Sequence, residues 1–197
     1  MQCKNCKIGM NNSVIEQAVA VLERGGTLLY PTDTIWGIGC DATNASAIEK
    51  IYSIKQRDPN KSMLILCSDI EQLKHYVSSV PSAALDLLAD DTRPTTIIYP
   101  QGRNLPRRLV ANDGSIGIRI PKMDFCQAVL ARLGRPIVST SANFSGCPSP
   151  LCYADIDTRL MQMVDYAVPN LWNSEGAASG SRIVKVEPSG QIVIIRN

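Results

Sequence analysis

A chain of 197 residues, nearly half of them apolar, is long enough to bury a core, and a formal net charge of +2 excludes a protein that coats nucleic acid by bulk charge while leaving room for a local basic cleft. No apolar run approaches the ~18 residues of a membrane span and "MQCKNCKIGM" carries no secretory hydrophobic segment, so a cytoplasmic protein with no membrane contact is expected. Seven cysteines, at 3, 6, 40, 67, 126, 147 and 152, are an odd and scattered set that fits a reducing compartment better than a disulfide framework.

Residues 1–12 read as an N-terminal tail. Cys3-Lys-Asn-Cys6 within it has the spacing of a zinc or redox pair, yet a tetrahedral site needs a second pair of ligands, and His75, the single histidine, falls in a predicted helix. Ser13 is the expected N-cap of "VIEQAVAVLERGG", where Val14, Ala18, Val21 and Leu22 recur at helical spacing before Gly25 and Gly26 end the run. The strand "TLLYP" then opens into "PTDTIWGIG", residues 31–39, which crowds Thr32, Asp33 and Thr34 between a proline and Trp36. Local turn bonds and a bound ligand both account for so many polar groups after a buried strand. Asn44 caps "ASAIEKIYSIK", and the loop "QRDPNKS" follows. Lys55, Arg57 and Lys61 are spaced so that a loop can aim all three at a polyphosphate; a solvated basic turn complementing the helix dipole is the competing account.

Further on, "MLILC" reads as a strand, "LKHYV" and "AALDLLA" as helices, and "TTIIYP" and "SIGIRIP" as strands. "DFCQAVLARLG" reads as a helix, and "PIVSTS" as a strand that runs into the hydroxyl-rich "STSANFSGCPSP". Segment 169–181, "PNLWNSEGAASGS", is the expected mobile stretch, and the tail reads as a hairpin around Pro188-Ser189-Gly190. The alternation predicts one α/β domain over residues 13–197, a twisted mixed sheet flanked by helices with a concave cationic cleft. There is no GxxxxGK[ST], GxGxxG, HExxH or GxSxG, and no histidine near a candidate nucleophile. That inventory suits a site working by positioning and electrostatic stabilisation, as phosphoryl and nucleotidyl transfer permit.

In order along the chain, "PTDTIWGIG", "KQR", "GIRIP" and "STSANFSGCPSP" together resemble the YrdC-like family of L-threonylcarbamoyladenylate synthases. The resemblance spans nearly the whole chain. It implies a YrdC-like domain and an enzyme, a nucleotidyltransferase that joins L-threonine, bicarbonate and ATP, with Mg²⁺, into threonylcarbamoyl-AMP and pyrophosphate. A downstream transferase would pass the threonylcarbamoyl group to an adenosine of tRNA. By position, Thr34, Arg119 and Ser139 resemble the residues that hold threonine, with Thr32 and Trp36 shaping that pocket. Arg57 and Lys61 resemble the ATP-contacting loop with Lys55 as partner cation, so that Lys55 and Arg57 stand as the catalytic pair. Ser115, Ser141, Asn143, Ser149 and the late Arg196 resemble nucleotide contacts, and no residue resembles a resident metal ligand. Ser62 and Leu66 stand where many members carry a proline and a histidine, and Arg182 where the family usually shows threonine.

Two other readings accompany this one. A double-stranded RNA or tRNA binder of the same fold, without synthase activity, would use Lys55, Arg57, Lys61, Arg93 and Arg119 to track a phosphate backbone. A carbamoyl-adenylate role like that of hydrogenase-maturation proteins would call for zinc-finger and acylphosphatase regions, which the CKNC motif is too small to supply.

Overall fold

The computed structural model describes residues 4–58, 61–90, 93–172, 180–187 and 189–197, and for residues 4–11 the backbone alone. The CKNC side chains and most of segment 169–181 therefore lie outside the described residues. Six helices are described: α1 (Lys4–Glu23), α2 (Ala45–Lys55), α3 (Ile70–Tyr76), α4 (Ser82–Ala89), α5 (Asp124–Leu133) and α6 (Thr158–Met163). They alternate with nine strands: β1 (Thr27–Tyr30), β2 (Gly37–Cys40), β3 (Leu64–Leu66), β4 (Thr95–Tyr99), β5 (Ile116–Arg119), β6 (Ile137–Ser141), β7 (Tyr166–Ala167), β8 (Arg182–Val186) and β9 (Ile192–Arg196). The strands form one mixed sheet in the order β7-β1-β2-β6-β3-β5-β4-β8-β9, the α/β architecture expected from the alternation of elements.

Helix ends follow local chemistry. Asn44 caps α2 as expected, its Oδ1 accepting the Ala47 N–H at 3.1 Å. At the end of α1, Gly25 adopts φ +72° and the Gly25 and Gly26 N–H groups return to Leu22 O and Val21 O, the doubled closure that a left-handed residue permits. The start of α1 differs from expectation, because the helix begins at Lys4 and Ser13 lies exposed within it rather than capping it. The apolar spacing had located the buried stripe, Val14, Ala18, Val21 and Leu22, and not the first turn. A serine is a weak stop signal when the residues before it also tolerate a helix.

Period-2 alternation sorts the strand residues between two apolar layers. Ile38, Ile65, Ile97, Ile118, Val138 and Val184 pack with Ala47, Ile48 and Ile51 of α2, Leu73 of α3, Ala84 of α4 and Leu160 of α6. The opposite face carries Leu28, Tyr30, Leu66 and Ile137, packed with α1 and with Phe125, Val129 and Leu130 of α5. Followed along the same strands, that second face changes character: Leu66 gives way to Leu64, and Ile137 to Ser139 and Ser141, which line an open cavity. The functional side chains thus sit on a sheet face that helices cover at one end only.

Candidate active site

The cavity has a volume of about 360 Å³, and every strand from β2 to β9 in the sheet order contributes a side chain or glycine to its floor. Close approach of β2 to β6 requires Gly39, where an added Cβ would lie 1.8 Å from Val138 O. Gly37 has a milder need, since its Cβ would meet Ser139 Oγ and Thr32 Cγ2 at 3.4 Å, and its value is to leave the floor open. Sequence reading took "PTDTIWGIG" as a loop. Its last two glycines belong to β2, a buried strand paired with both β1 and β6, because close backbone packing outweighs the poor intrinsic strand preference of glycine.

The polar groups of the 31–36 turn are organised around one guanidinium. Arg119 is 3% exposed, and its Nη1 donates to Thr34 Oγ1 at 3.0 Å and lies 2.8 Å from Asp33 Oδ1. Thr32 Oγ1 donates to Ile35 O at 2.8 Å, which leaves the Thr34 hydroxyl to donate to Thr32 Oγ1 across 2.9 Å. A single run of bonds therefore connects Arg119, Thr34, Thr32 and the backbone. Arg119 Nε, by contrast, is buried without a hydrogen-bond partner. So is Trp36 Nε1, whose ring stacks edge-on against Tyr153 with centroids 4.8 Å apart. Two buried donors beside a cavity are available to an acceptor that enters it.

The other cations of the cavity lie away from Arg119. Leu66 is paired with Arg119 across the β3–β5 ladder, so the chain at Ser62 and Ser115 is four residues back along both strands, on the order of 13 Å away. Arg57 belongs to that end, its Nε and Nη2 donating to Lys61 O at 3.0 Å and Ser62 O at 2.9 Å. Ser115 Oγ donates to Asp113 Oδ1 at 2.6 Å and keeps its lone pairs for another partner. Arg196 stands on the edge strand β9, bonded through Nε and Nη2 to Ser181 O at 3.1 and 2.6 Å, three strands from β5 or about 14 Å. Ser141 and Ser149 complete the polar rim.

Nine of the expected site residues line this one cavity: Thr32, Thr34, Arg57, Ser115, Arg119, Ser139, Ser141, Ser149 and Arg196. Three do not. The Lys55 side chain is 2% exposed and turned away from the cavity into the 141–143 loop, where Nζ donates to Ser141 O, to Asn143 O at 2.7 Å and to Asn143 Oδ1 at 3.3 Å. Burial, and secondarily the charge of Arg57, lower its pKa to about 7. Lys55 thus braces the loop from beneath, whereas its position at the C-terminal end of α2 had suggested a cation facing phosphate. Asn143 is spent on the same loop, accepting from Ser141 Oγ at 2.5 Å and donating to Cys147 O at 2.5 Å, and the Lys61 side chain is exposed outside the lining. Arg182, out of the cavity too, is bonded to Thr95 Oγ1 and Asp90 Oδ2. The sequence reading missed Thr96 and Ser181, whose hydroxyls lie 2.7 Å apart in the cavity wall. Alternation in "TTIIYP" was the available signal, since it sets Thr96 and Ile98 on one face and Ile97 on the other.

Comparison with known proteins sets this site in context. The family model described as telomere recombination, which covers Sua5, YciO and YrdC, matches residues 20–197. The chain belongs to the Sua5/YciO/YrdC family. A relative named threonylcarbamoyl-AMP synthase, from Xanthomonas euvesicatoria pv. vesicatoria (strain 85-10), is 31% identical over 182 residues, 91% of this chain and 96% of that protein. The crystal structure of E. coli YciO superposes with a TM-score of 0.78 at 29% identity, covering 93% of this chain and 88% of that one. P. abyssi Sua5, solved in complex with L-threonine, gives a TM-score of 0.83 at 23% identity; it shares the fold over 92% of this chain, which spans 53% of the Sua5 chain. Among the described residues of this Sua5/YciO/YrdC-family chain, the cavity lining holds three arginines and no carboxylate, and no cluster of three or more metal-ligating side chains occurs.

Proposed function

We propose that this protein is a threonylcarbamoyl-AMP synthase, which condenses L-threonine, bicarbonate and ATP and releases pyrophosphate. The observation that carries the proposal is a buried guanidinium, Arg119, with its Nε lacking a partner, in the same cavity as two further arginines held more than a residue's length away. A carboxylate receptor and a phosphate receptor in one cavity suit an amino acid and a nucleotide. The synthase name of relatives at about 30% identity supports the same reading.

In this reading the free edge of Arg119 takes the threonine carboxylate as a charge-assisted fork, with Thr34, Thr32 and Ser139 around the amino acid. Arg57 and Arg196 neutralise the triphosphate, and Ser115, Ser141 and Ser149 orient it. The lining offers hydroxyls but no carboxylate, so Mg²⁺ enters as part of the ATP substrate, held by phosphate oxygens and water instead of by a protein cage. The threonine ammonium first gives up a proton to solvent, and the neutral amine then attacks bicarbonate and gives the carbamate and water, with no residue assigned as base. A carbamate oxygen then bonds to the α-phosphorus as the bond to the departing pyrophosphate breaks. Positioning and electrostatics supply the catalysis. The product goes on to a transferase that modifies adenosine in tRNA, which puts the reaction in the cytoplasm; no described helix is long and apolar enough to cross a membrane.

The test is purified protein with Mg²⁺ and ATP, assayed for pyrophosphate and, by mass, for the adenylate. Release that needs both threonine and bicarbonate is expected. Equal release with either omitted would make the protein a plain ATPase and reject the synthase.

A further inference from the structure

Three arginines in a small cavity must be told apart by two anionic substrates, and their partners differ in kind. Among the described residues, the partners seen for Arg57 and Arg196 are backbone carbonyl oxygens, which carry no formal charge. Arg119 has a carboxylate, Asp33, 2.8 Å from its Nη1, and the two side chains are 4% and 12% exposed. The Asp33 side chain is itself fixed, since its Oδ2 accepts the Lys122 backbone N–H at 3.2 Å. Asp33 does two things to Arg119. It lies as an ion-pair neighbour against the same Nη1 that donates to Thr34, while Nε has no partner, and it compensates a buried positive charge that would otherwise draw the most highly charged anion present.

We propose that Asp33 is a positioning residue that sorts the substrates: by pairing with Arg119 it makes one end of the cavity a receptor for the carboxylate of a net-neutral amino acid and leaves polyphosphate to Arg57 and Arg196. The proposal rests on the synthase reading above. Its signature is the pattern of inhibition by inorganic tripolyphosphate, a triphosphate without nucleoside, with Mg²⁺ in excess. In the wild type, tripolyphosphate competes with ATP, and added threonine does not relieve it. Asp33→Asn keeps an acceptor for the Lys122 N–H but removes the charge. There the uncompensated guanidinium also accepts tripolyphosphate, so the apparent Michaelis constant for threonine rises about tenfold or more when the inhibitor is present, kcat at saturating threonine changes little, and threonine now relieves inhibition by tripolyphosphate. Asp33→Glu, which restores the charge, returns the wild-type pattern; a purely structural role for Asp33 predicts no such change of competing substrate. Should Asp33→Asn fail to fold, Asp33→Ser takes its place as the uncharged variant. Relief by threonine in the wild type, an uncharged variant whose inhibition threonine does not relieve, or a glutamate variant that behaves like asparagine each overturns the sorting role. Absence of threonine-dependent pyrophosphate release in the wild type would instead overturn the synthase reading, and the two failures are told apart by that single control.

Discussion

At the scale of single residues, the cations of the chain divide by burial and partner. In the proposed reading Arg119 receives a carboxylate and Arg57 a phosphate, so alanine at either position is expected to cost on the order of 30- to 1,000-fold in adenylate formation. Arg119→Ala should act chiefly on the specificity constant for threonine and Arg57→Ala on that for ATP, while thermal melting checks that both remain folded. Lys55 makes a different prediction. Its pKa falls from the ordinary 10.5 to about 7, so between those values the unfolded chain holds a proton that the folded chain does not. Stability then rises with pH across that window, by up to about 1.4 kcal/mol per pH unit, and the contribution is absent below pH 7. Lys55→Met has no such slope. Urea unfolding at pH 7 and pH 9 should show the wild type gaining on the variant as pH increases, and a constant gap would mean that the amine stays charged among its three oxygen partners.

At the scale of elements, the glycines of β2 provide a contrast within one strand. Gly39→Ala drives a Cβ into the backbone of β6 and is expected to abolish the fold or cost more than about 4 kcal/mol, whereas Gly37→Ala meets neighbours at ordinary contact distance and should fold. Thermal melting separates them, and Gly37→Ala should raise the threonine Michaelis constant by narrowing the floor beside Ser139. Strand β2 is also where the sequence was hardest to read, because glycine is depleted in strands and its merit here appears only when β6 lies alongside. Asn44, the Gly25–Gly26 stop and the Ile-rich strands were legible since their signals are local. Short α6 and two-residue β7 gave no periodicity to find, and Lys55 misled because spacing along a helix places a side chain on a face without saying whether a loop will fold over it. The four motif stretches come together, and seven of the nine expected residues in the cavity belong to them, because strands of period 2 put alternate positions on one face.

At the scale of the molecule, net charge is small and the strongest cation of the site is hidden. A surface that tracks RNA would need Lys55 and Arg119 in contact with solvent, and both are buried. Arg119→Ala is therefore expected to leave any non-specific RNA affinity and its salt dependence unchanged while adenylate formation collapses; a salt slope flatter by about one unit would show that the guanidinium reaches a phosphate. The position of Arg196 leads to a last point. It sits on β9, an edge strand whose residues are all exposed, Ile194 by 57%, and which is paired on one side to β8 alone. Detachment of β9 breaks few buried contacts, so it should occur far more often than global unfolding and would remove the phosphate contact proposed for Arg196 while leaving Arg119 and its partners in place. The enzyme would then breathe at the nucleotide end. Hydrogen exchange should find the Ile192–Arg196 amides among the fastest of the sheet, and saturating Mg²⁺-ATP should slow them while threonine alone does not.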